Sequence, residues 1–170
     1  IDQATSFIQQ HYKNFSSMSW VYSCGAGANY GTALESALKM GETIHIPSCC
    51  YEIEEYIHGP NLQLTPQYNV IFFDGNDVAS HRVEQVYKAT RKVSNRAYLI
   101  SNNPQLVMDD HVLSLSDTVS SELCPLVYLP FVQLLSFIIS NDLHSIYQHP
   151  LLKEFKAIAA AKTENFVNYD

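Results

Sequence analysis

Residues 19–24, with the sequence Ser-Trp-Val-Tyr-Ser-Cys, form a short apolar run that predicts a buried β-strand. The glycine turn Gly25-Ala26-Gly27 follows at once, and a helical pattern over residues 29–42 comes directly after it. When strand, turn and helix follow one another in this way, the turn lies beyond the carboxyl end of the strand, where parallel α/β sheets bind their ligands. This stretch therefore predicts both the class of fold and the edge of the sheet that faces a ligand.

The same alternation of short extended segments and helices continues along the chain. A helical pattern covers residues 1–18, and the later segments are strands at 43–50, 69–73, 96–100 and 111–115 and helices at 78–93 and 122–143. Strands that alternate with helices are parallel and are joined by right-handed crossovers. We therefore expect a three-layer α/β/α sandwich, flavodoxin-like in type, around a five-stranded parallel sheet.

The length and composition are those of one compact domain, with 170 residues, 46% of them hydrophobic, and no linker, repeat or low-complexity tract. We expect a single domain over residues 1–170. The formal net charge is −7 and the ten Lys and Arg residues are scattered, so the basic surface of a nucleic-acid-binding protein is missing. Nucleic acid is therefore not an expected partner.

The longest apolar stretch, residues 126–139, is interrupted by Pro130, Gln133 and Ser136 and is shorter than the roughly 20 residues of a spanning helix. No membrane segment is expected. The sequence begins Ile-Asp-Gln-Ala and has no basic stretch that leads into an apolar one, so no signal peptide is predicted. A cytoplasmic location is the resulting expectation.

The four cysteines have neither the spacing of a zinc site nor that of a redox pair, so reduced thiols are expected. Cys24 and Cys124 are predicted to pack as apolar side chains. The adjacent Cys49 and Cys50 should point to opposite faces of an extended segment.

Three charged residues, Glu35, Lys39 and Glu42, fall within roughly 60° of one another on the helix that follows the glycine turn. The other positions of this helix are largely apolar, as expected for a helix that is buried on several sides. One interpretation is a solvated face with an ordinary ion pair between residues four apart. The other is a functional cluster, since the helix begins at the ligand-binding edge.

His58 stands in an unusual setting, with three glutamates between residues 52 and 55 before it and Gly59-Pro60 after it. Nearby carboxylates would favour the imidazolium form, and Gly-Pro fixes a sharp turn of the backbone. The other six histidines have no such setting and form no metal-binding pattern. Gly25-x-Gly27 lacks the third glycine of a dinucleotide site, so no cofactor is expected.

Three segments of the chain resemble sugar isomerase (SIS) domains, specifically the second SIS domain in the isomerase half of glucosamine-6-phosphate synthase and its deglycase relatives. They are similar to the family's glycine loop Gly-Arg-Gly-x-x-Tyr, its helix Ala-x-Glu-Gly-Ala-Leu-Lys-x-x-Glu and its turn Glu-x-x-His-Gly-Pro (residues 25–30, 33–42 and 55–60). The interval from Glu42 to His58 is also the family's. Residues 128–137 and 161–163 resemble its Pro-x-Gln-Leu-Leu helix and its Ala-Lys-Ser tail.

The resemblance implies a role for each matching residue. Glu42 would be the base that moves a proton between C1 and C2 of the sugar, and Lys39 would stabilise the negative charge that develops. His58 would assist ring opening or proton transfer at oxygen, from the same or a neighbouring subunit. Glu35 would help to hold the lysine.

The resemblance also implies that the chain is half of a two-domain enzyme. Residues 74–77, Asp-Gly-Asn-Asp, stand where the first SIS domain carries its phosphate-binding loop, and two carboxylates there would repel a phosphate. The first SIS domain is therefore an expected partner, together with a sugar-phosphate substrate and further copies in a homodimer or larger homo-oligomer. A C-terminal tail of about 150–170 would bring Ala161 and Lys162 to the substrate.

The implied function is that of a phosphosugar isomerase or deglycase acting on an amino-sugar or fructosamine 6-phosphate. The deglycase is slightly favoured because nothing in the sequence indicates an ammonia donor. The competing hypothesis is a sugar-phosphate-binding SIS domain without catalysis, with a role in regulation or in assembly. Regulatory SIS domains usually lack the pair that Glu42 and His58 provide here, which argues for catalysis.

Overall fold

A computed structural model of the chain describes residues 1–106, 109–115, 119–145, 154–155 and 158–159. The five strands are β1 (Val21–Gly25), β2 (Ser48–Glu52), β3 (Asn69–Asp74), β4 (Ala97–Ser101) and β5 (Val112–Ser114). They form one sheet in the order β2-β1-β3-β4-β5, and every neighbouring pair is parallel. The predicted five-stranded parallel sheet is thus confirmed, with β2 at one edge.

Helices connect successive strands and cover both faces of the sheet. They are α1 (Asp2–Gln10), α2 (Tyr12–Ser16), α3 (Ala28–Lys39), α4 (Ile53–Ile57), α5 (Ser80–Arg91) and α6 (Cys124–Asp142), with 3-10 turns at Pro60–Gln63, Pro104–Leu106 and Ser121–Leu123. A π-helical turn (Met40–Ile44) extends α3 toward the start of β2.

The two faces of the sheet carry two separate hydrophobic clusters. One cluster lies under α1, α3 and α6 and includes Ile71 and Phe131. The other lies under α4 and α5 and includes Phe72 and Val83. Strands β1, β3 and β4 are buried along their whole length, as expected for parallel strands covered on both faces. The three-layer sandwich predicted from the sequence is therefore the observed architecture.

The cysteines behave as the sequence predicts. All four are free thiols, and Cys24 and Cys124 are buried. Cys50 packs against the cluster under α3 and α6, whereas Cys49 packs against the cluster under α4 and α5. Successive side chains of β2 therefore point to opposite faces of the sheet.

Two local predictions around β2 are wrong. The segment 43–50 was expected to be extended, but Thr43 and Ile44 belong to the π-helical turn, and β2 begins only at Ser48. The Thr43 hydroxyl donates to the Lys39 carbonyl over 2.7 Å, which holds the turn closed. Residues 55–57 of the turn expected at 55–60 belong to α4, which begins with a reciprocal capping box between Glu52 and Glu55.

Helix α6, with the 3-10 turn before it, is long and apolar enough to cross a membrane by length and composition alone, unlike the shorter segment 126–139 considered from the sequence. Only 44% of its most apolar window is buried inside the protein. Its inner face, which includes Tyr128, Phe131 and Leu135, is nevertheless packed into the cluster under α1 and α3. That packing is typical of the core helix of a compact domain.

Candidate functional site

The end of α3 brings the three predicted charged residues together. Lys39 Nζ lies 2.8 Å from Glu42 Oε2 and 3.4 Å from Glu35 Oε1, so the ammonium bridges two carboxylates. All three side chains are partly exposed. The predicted stripe is thus one ion-paired group at the surface, in partial contact with solvent.

The hydrogen bond to Glu42 is the main reason why the pKa of Lys39 is raised above its usual value, and the charge of Glu35 acts in the same direction. Burial acts in the opposite direction but does not outweigh them. Lys39 therefore remains a cation across the physiological range of pH. A fixed positive charge beside a carboxylate suits the stabilisation of an anion that develops next to it.

The helix that carries this group is less buried than the sequence suggested. Leu34 and Leu38 are about half exposed, whereas the face that packs on the sheet consists mainly of small residues such as Ala33, Ser36 and Ala37. Glu42 itself lies in the π-helical turn rather than in α3. Single π-helical turns of this kind occur frequently at functional sites.

The glycine loop lies at the carboxyl end of β1, as predicted, and its first glycine permits a close approach. A Cβ on Gly25 would lie 2.3 Å from the backbone oxygen of Asn29, so no larger residue fits there without displacing the backbone. Gly27 has a positive φ of 54°, which favours glycine. These two residues let α3 begin immediately after the strand.

The carboxylate of Asp74 is buried and is hydrogen-bonded by the loop after β3 and by residues of β4 and α5. It accepts hydrogen bonds from Ser101 Oγ at 2.7 Å, from the Asn76 amide at 3.0 Å and from Ser80 Oγ. Asp77 accepts from the Ala79 amide over 2.8 Å. The two carboxylates predicted at this edge therefore hold the loop after β3 in place, a role that the sequence analysis did not anticipate.

His58 lies apart from the charged group of α3. It directly follows α4, whose Ile53 and Tyr56 belong to the cluster on the opposite face from Met40 and Ile44. Along the chain, Glu42 precedes β2 and His58 follows α4, which comes directly after β2. Among the described residues, no contact joins the two side chains.

The glutamates before His58 are mostly engaged by other groups. Glu54 forms a bidentate ion pair with Arg82, at 2.7 and 3.0 Å, and Glu52 and Glu55 form the capping box of α4. The pKa of Glu54 is lowered mainly by the hydrogen bond from Arg82, with a smaller contribution from the charge of His58. Of the three glutamates, Glu54 is thus the one whose pKa is affected by the charge of His58.

The predicted tail residues Ala161 and Lys162 lie outside the described residues, as does nearly all of the segment 150–170. Their role stays a prediction.

A cluster of polar side chains that the sequence analysis passed over lies at the amino end of β5. Asp109, Asp110 and His111 place ligand atoms within 4.8 Å of one another, close enough to hold a metal ion. Each is already engaged: Asp109 accepts from Tyr87 over 2.7 Å, and the His111 ring contacts both Asp110 Oδ1 and the Asn95 carbonyl. The cluster therefore connects the residues before β5 to α5, through Tyr87, and to the segment before β4, through Asn95.

No protein-family model matches the sequence, and no curated protein sequence matches it. Solved structures do match. A protein of Clostridium difficile 630 assigned as a phosphosugar isomerase has a TM-score of 0.78 and 20% identity over 90% of this chain and 43% of its own. The C-terminal domain of glucosamine-fructose-6-phosphate aminotransferase from Francisella tularensis has a TM-score of 0.71 and 24% identity, over 82% of this chain and 40% of its own.

Tagatose-6-phosphate ketose/aldose isomerase from Escherichia coli gives a TM-score of 0.68 and 15% identity over 89% of this chain and 46% of its own. The chain therefore has the fold of these sugar-phosphate proteins, as the resemblance to SIS domains implied. It spans less than half the length of each of the three structures.

Proposed function

We propose that the chain is the second SIS domain of a phosphosugar isomerase or deglycase that acts on an amino-sugar or fructosamine 6-phosphate. Glu42 moves the proton between C1 and C2, Lys39 stabilises the enediolate or enaminolate oxygen, and His58 serves proton transfer at oxygen or ring opening. The protein is soluble and cytoplasmic in this proposal, and the first SIS domain supplies the phosphate-binding loop.

The observation that carries the proposal is the ion-paired group at the end of α3. Abstraction of a proton next to a carbonyl needs a carboxylate, and the anion that forms needs a nearby cation. Glu42 and Lys39 provide both within 2.8 Å, on a surface that a ligand can reach. Glu35 holds the lysine from the preceding turn at 3.4 Å, which keeps the ammonium in place when Glu42 moves to the substrate.

We further propose that Glu42 of one subunit and His58 of its partner act on the same substrate. Their places in the chain support this arrangement, since Glu42 precedes β2, His58 follows α4, and no contact joins the two side chains among the described residues. Two-fold symmetry would give two such sites for each dimer.

The alternative is a sugar-phosphate-binding domain without catalysis. It is favoured by the partial exposure of the bridged lysine, since exposed ion pairs are common on helices and stabilise little. In that case the charged group would serve only solubility or binding.

Glu42→Gln in the complete protein that carries this domain separates the two functions. Removing the base should reduce ketose–aldose interconversion, or release of the amine from a fructosamine 6-phosphate, by roughly 10²- to 10⁴-fold, while calorimetric binding of the sugar phosphate persists. Glu84→Gln is the matched control, since Glu84 is also ion-paired to a lysine of the same helix, Lys88, at a spacing of four residues instead of three. Undiminished turnover in Glu42→Gln would exclude Glu42 as the base.

Mixing two inactive variants tests the shared site. After subunit exchange, Glu42→Gln and His58→Gln form mixed dimers in which one of the two sites has both native groups. Activity should then return to about one quarter of the wild-type value, from half mixed dimers with one site each. A mixture that stays as inactive as its components would show that both groups act from the same subunit, and activity in either single variant would show that its residue is dispensable.

A further inference from the structure

The π-helical turn that carries Glu42 is anchored in the core by two apolar residues. Met40 and Ile44 are buried in the cluster under α1, α3 and α6, whereas the side chain of Glu42 between them is 49% exposed. His45 ends the turn with a φ of 63°, a left-handed conformation that a non-glycine residue keeps only where the surrounding structure imposes it. The backbone of this turn therefore depends on its contacts for its shape.

Three side-chain hydroxyls donate hydrogen bonds to carbonyl groups of this turn and of the end of α3. Thr43 donates to the Lys39 carbonyl over 2.7 Å, from within the turn itself. Ser48, the first residue of β2, donates to the Ala37 carbonyl over 2.6 Å. Ser145, which follows α6, donates to the Thr43 carbonyl over 2.6 Å. The backbone is thus bound both before and directly after Glu42.

The two serines differ from Thr43 in what they connect. A hydroxyl that binds the carbonyl four residues back is a local bond within one helix. Ser48 and Ser145 lie 11 and 102 residues from their acceptors, so they join the turn to β2 and to the segment after α6. A Cβ on Gly41 would lie 3.3 Å from Ser48 Oγ, so this serine also packs directly against the residue before Glu42. The two serines therefore determine where the turn lies relative to the sheet and to α6.

We infer that Ser48 and Ser145 are positioning residues for the proposed base. Their hydrogen bonds fix the turn from two sides, so the Glu42 carboxylate stays beside the Lys39 ammonium and reaches the same carbon of the substrate in each turnover. The inference rests on the proposed function and adds two residues that act through Glu42. Displacement of a catalytic group by about 1 Å can lower a rate by up to 10²-fold, so small shifts of this turn have a measurable effect.

Ser48→Ala and Ser145→Ala in the complete protein that carries this domain test the inference. Each substitution should lower kcat by roughly tenfold, because the base is less well aligned. KM for the sugar phosphate should change by less than about twofold, because the first SIS domain binds the phosphate in the proposed enzyme. Ser94→Ala is the matched control, since Ser94 Oγ also donates to a distant carbonyl, that of Tyr68, over 2.7 Å. It should leave both constants unchanged.

The Glu42→Gln background shows whether the serines act through Glu42. In that background Ser48→Ala should not lower the residual kcat further, because the base that the serine positions is already absent. The same tenfold loss in both backgrounds would overturn the inference. An equal loss in Ser94→Ala would also overturn it, and so would a kcat within about twofold of the wild type when Ser48→Ala and Ser145→Ala are combined.

Amide hydrogen exchange of the same variants gives a measurement that does not involve turnover. Removal of either hydroxyl should speed exchange in peptides that cover Met40–Ile44 by about tenfold, and Ser94→Ala should leave these peptides unchanged. Unchanged exchange in Ser48→Ala and Ser145→Ala, together with an inactive Glu42→Gln enzyme, would overturn the inference and leave the proposed function in place. Faster exchange together with a fully active Glu42→Gln enzyme would instead refute the proposed base, and with it the positioning role of both serines.

Discussion

Lys39 Nζ lies 2.8 Å from Glu42 Oε2, at the point where α3 widens into its π-helical turn. In this arrangement the proposed base and the proposed electrostatic catalyst neutralise each other. Because the pair is partly exposed, opening it costs little free energy, of the order of 1 kcal/mol or less. In the proposed reaction, a bound sugar would therefore replace both partners, with the carboxylate at a C–H bond and the ammonium at the neighbouring oxygen.

Lys39→Met should separate catalysis from stability. Loss of the ammonium should lower kcat/KM of the complete enzyme by roughly 10²- to 10³-fold, as for other donors that stabilise a developing oxyanion. The free energy of unfolding should change by less than about 1 kcal/mol, because the pair is partly exposed. Lys88→Met on α5, which removes a comparable pair with Glu84, should leave the kinetics unchanged. A similar loss of activity in both variants would contradict a specific role for Lys39.

Gly25→Ala and Gly31→Ala should change stability in opposite directions. At Gly25 the new methyl group would meet the backbone of Asn29 at 2.3 Å, so the start of α3 must shift and the protein should lose several kcal/mol of unfolding free energy, on the order of the cost of a severe core mutation. At Gly31, inside α3, nothing lies within 4 Å, and the helix should gain about 0.5–1 kcal/mol. Urea denaturation of both variants measures the difference. Equal effects would contradict the close contact at Gly25.

The protein should lose stability in mild acid because of His11. Burial lowers the pKa of His11 below the ordinary value of 6.5, and His111 acts in the same direction. Since the unfolded chain binds the proton more readily, the contribution is fully present above about pH 6.5 and falls as the pH drops through that value toward the folded pKa. The slope cannot exceed about 1.4 kcal/mol per pH unit for one proton.

Urea midpoints between pH 7 and pH 5 test this expectation. His11→Gln removes the titrating group, so its curve should be flatter than that of the wild type. The exposed His81 is the control, and His81→Gln should retain the wild-type slope. A wild-type slope in His11→Gln would assign the acid sensitivity to another group.

The hydroxyl of Tyr128 should be worth more to stability than that of Tyr12. Tyr128 is buried in α6 and donates to the Asp74 carbonyl over 2.6 Å, which ties the helix to the loop after β3. Tyr128→Phe leaves that carbonyl without its donor and should cost about 1–2 kcal/mol. Tyr12→Phe removes an exposed hydrogen bond to Asp142 and should change little. Thermal unfolding of both variants gives the comparison, and an equal effect would contradict it.

The sequence predicted the three layers well because each strand and each helix has its own local pattern of apolar residues, and these patterns agree with one another. The five apolar runs and the intervening helical patterns fixed the class of fold, and the alternation of Cys49 and Cys50 was correct residue by residue. The start of β2 was misplaced because the side chain of Thr43 closes a π-helical turn on the Lys39 carbonyl. A pattern of apolar residues does not indicate a hydrogen bond from a side chain to the backbone.

The candidate site was predictable only in part. The helical spacing of Glu35, Lys39 and Glu42 correctly predicted one group, since residues three and four apart meet on a helix. The position of His58 depends on which face of the sheet α4 covers, and that follows from tertiary packing. The hydrogen bonds of His111 were not predicted because its partner Asn95 is distant along the chain. The Asp74 carboxylate was expected to repel a phosphate at the edge of the sheet, whereas Ser101 and Ser80 enclose it.

The π-helical turn also means that the direction of the Glu42 side chain can change separately from the packing of the hydrophobic core. Such a turn holds one residue more than the α-helix that would replace it, so deleting a single position between Met40 and Ile44 should wind the segment back to an ordinary helix. If the deleted position is Gly41, Glu42 becomes the second residue after Lys39 instead of the third, and its carboxylate moves by about 100° around the helix axis, away from Lys39. If the deleted position is Thr43, the spacing of three residues between Lys39 and Glu42 is kept, and so is the ion pair.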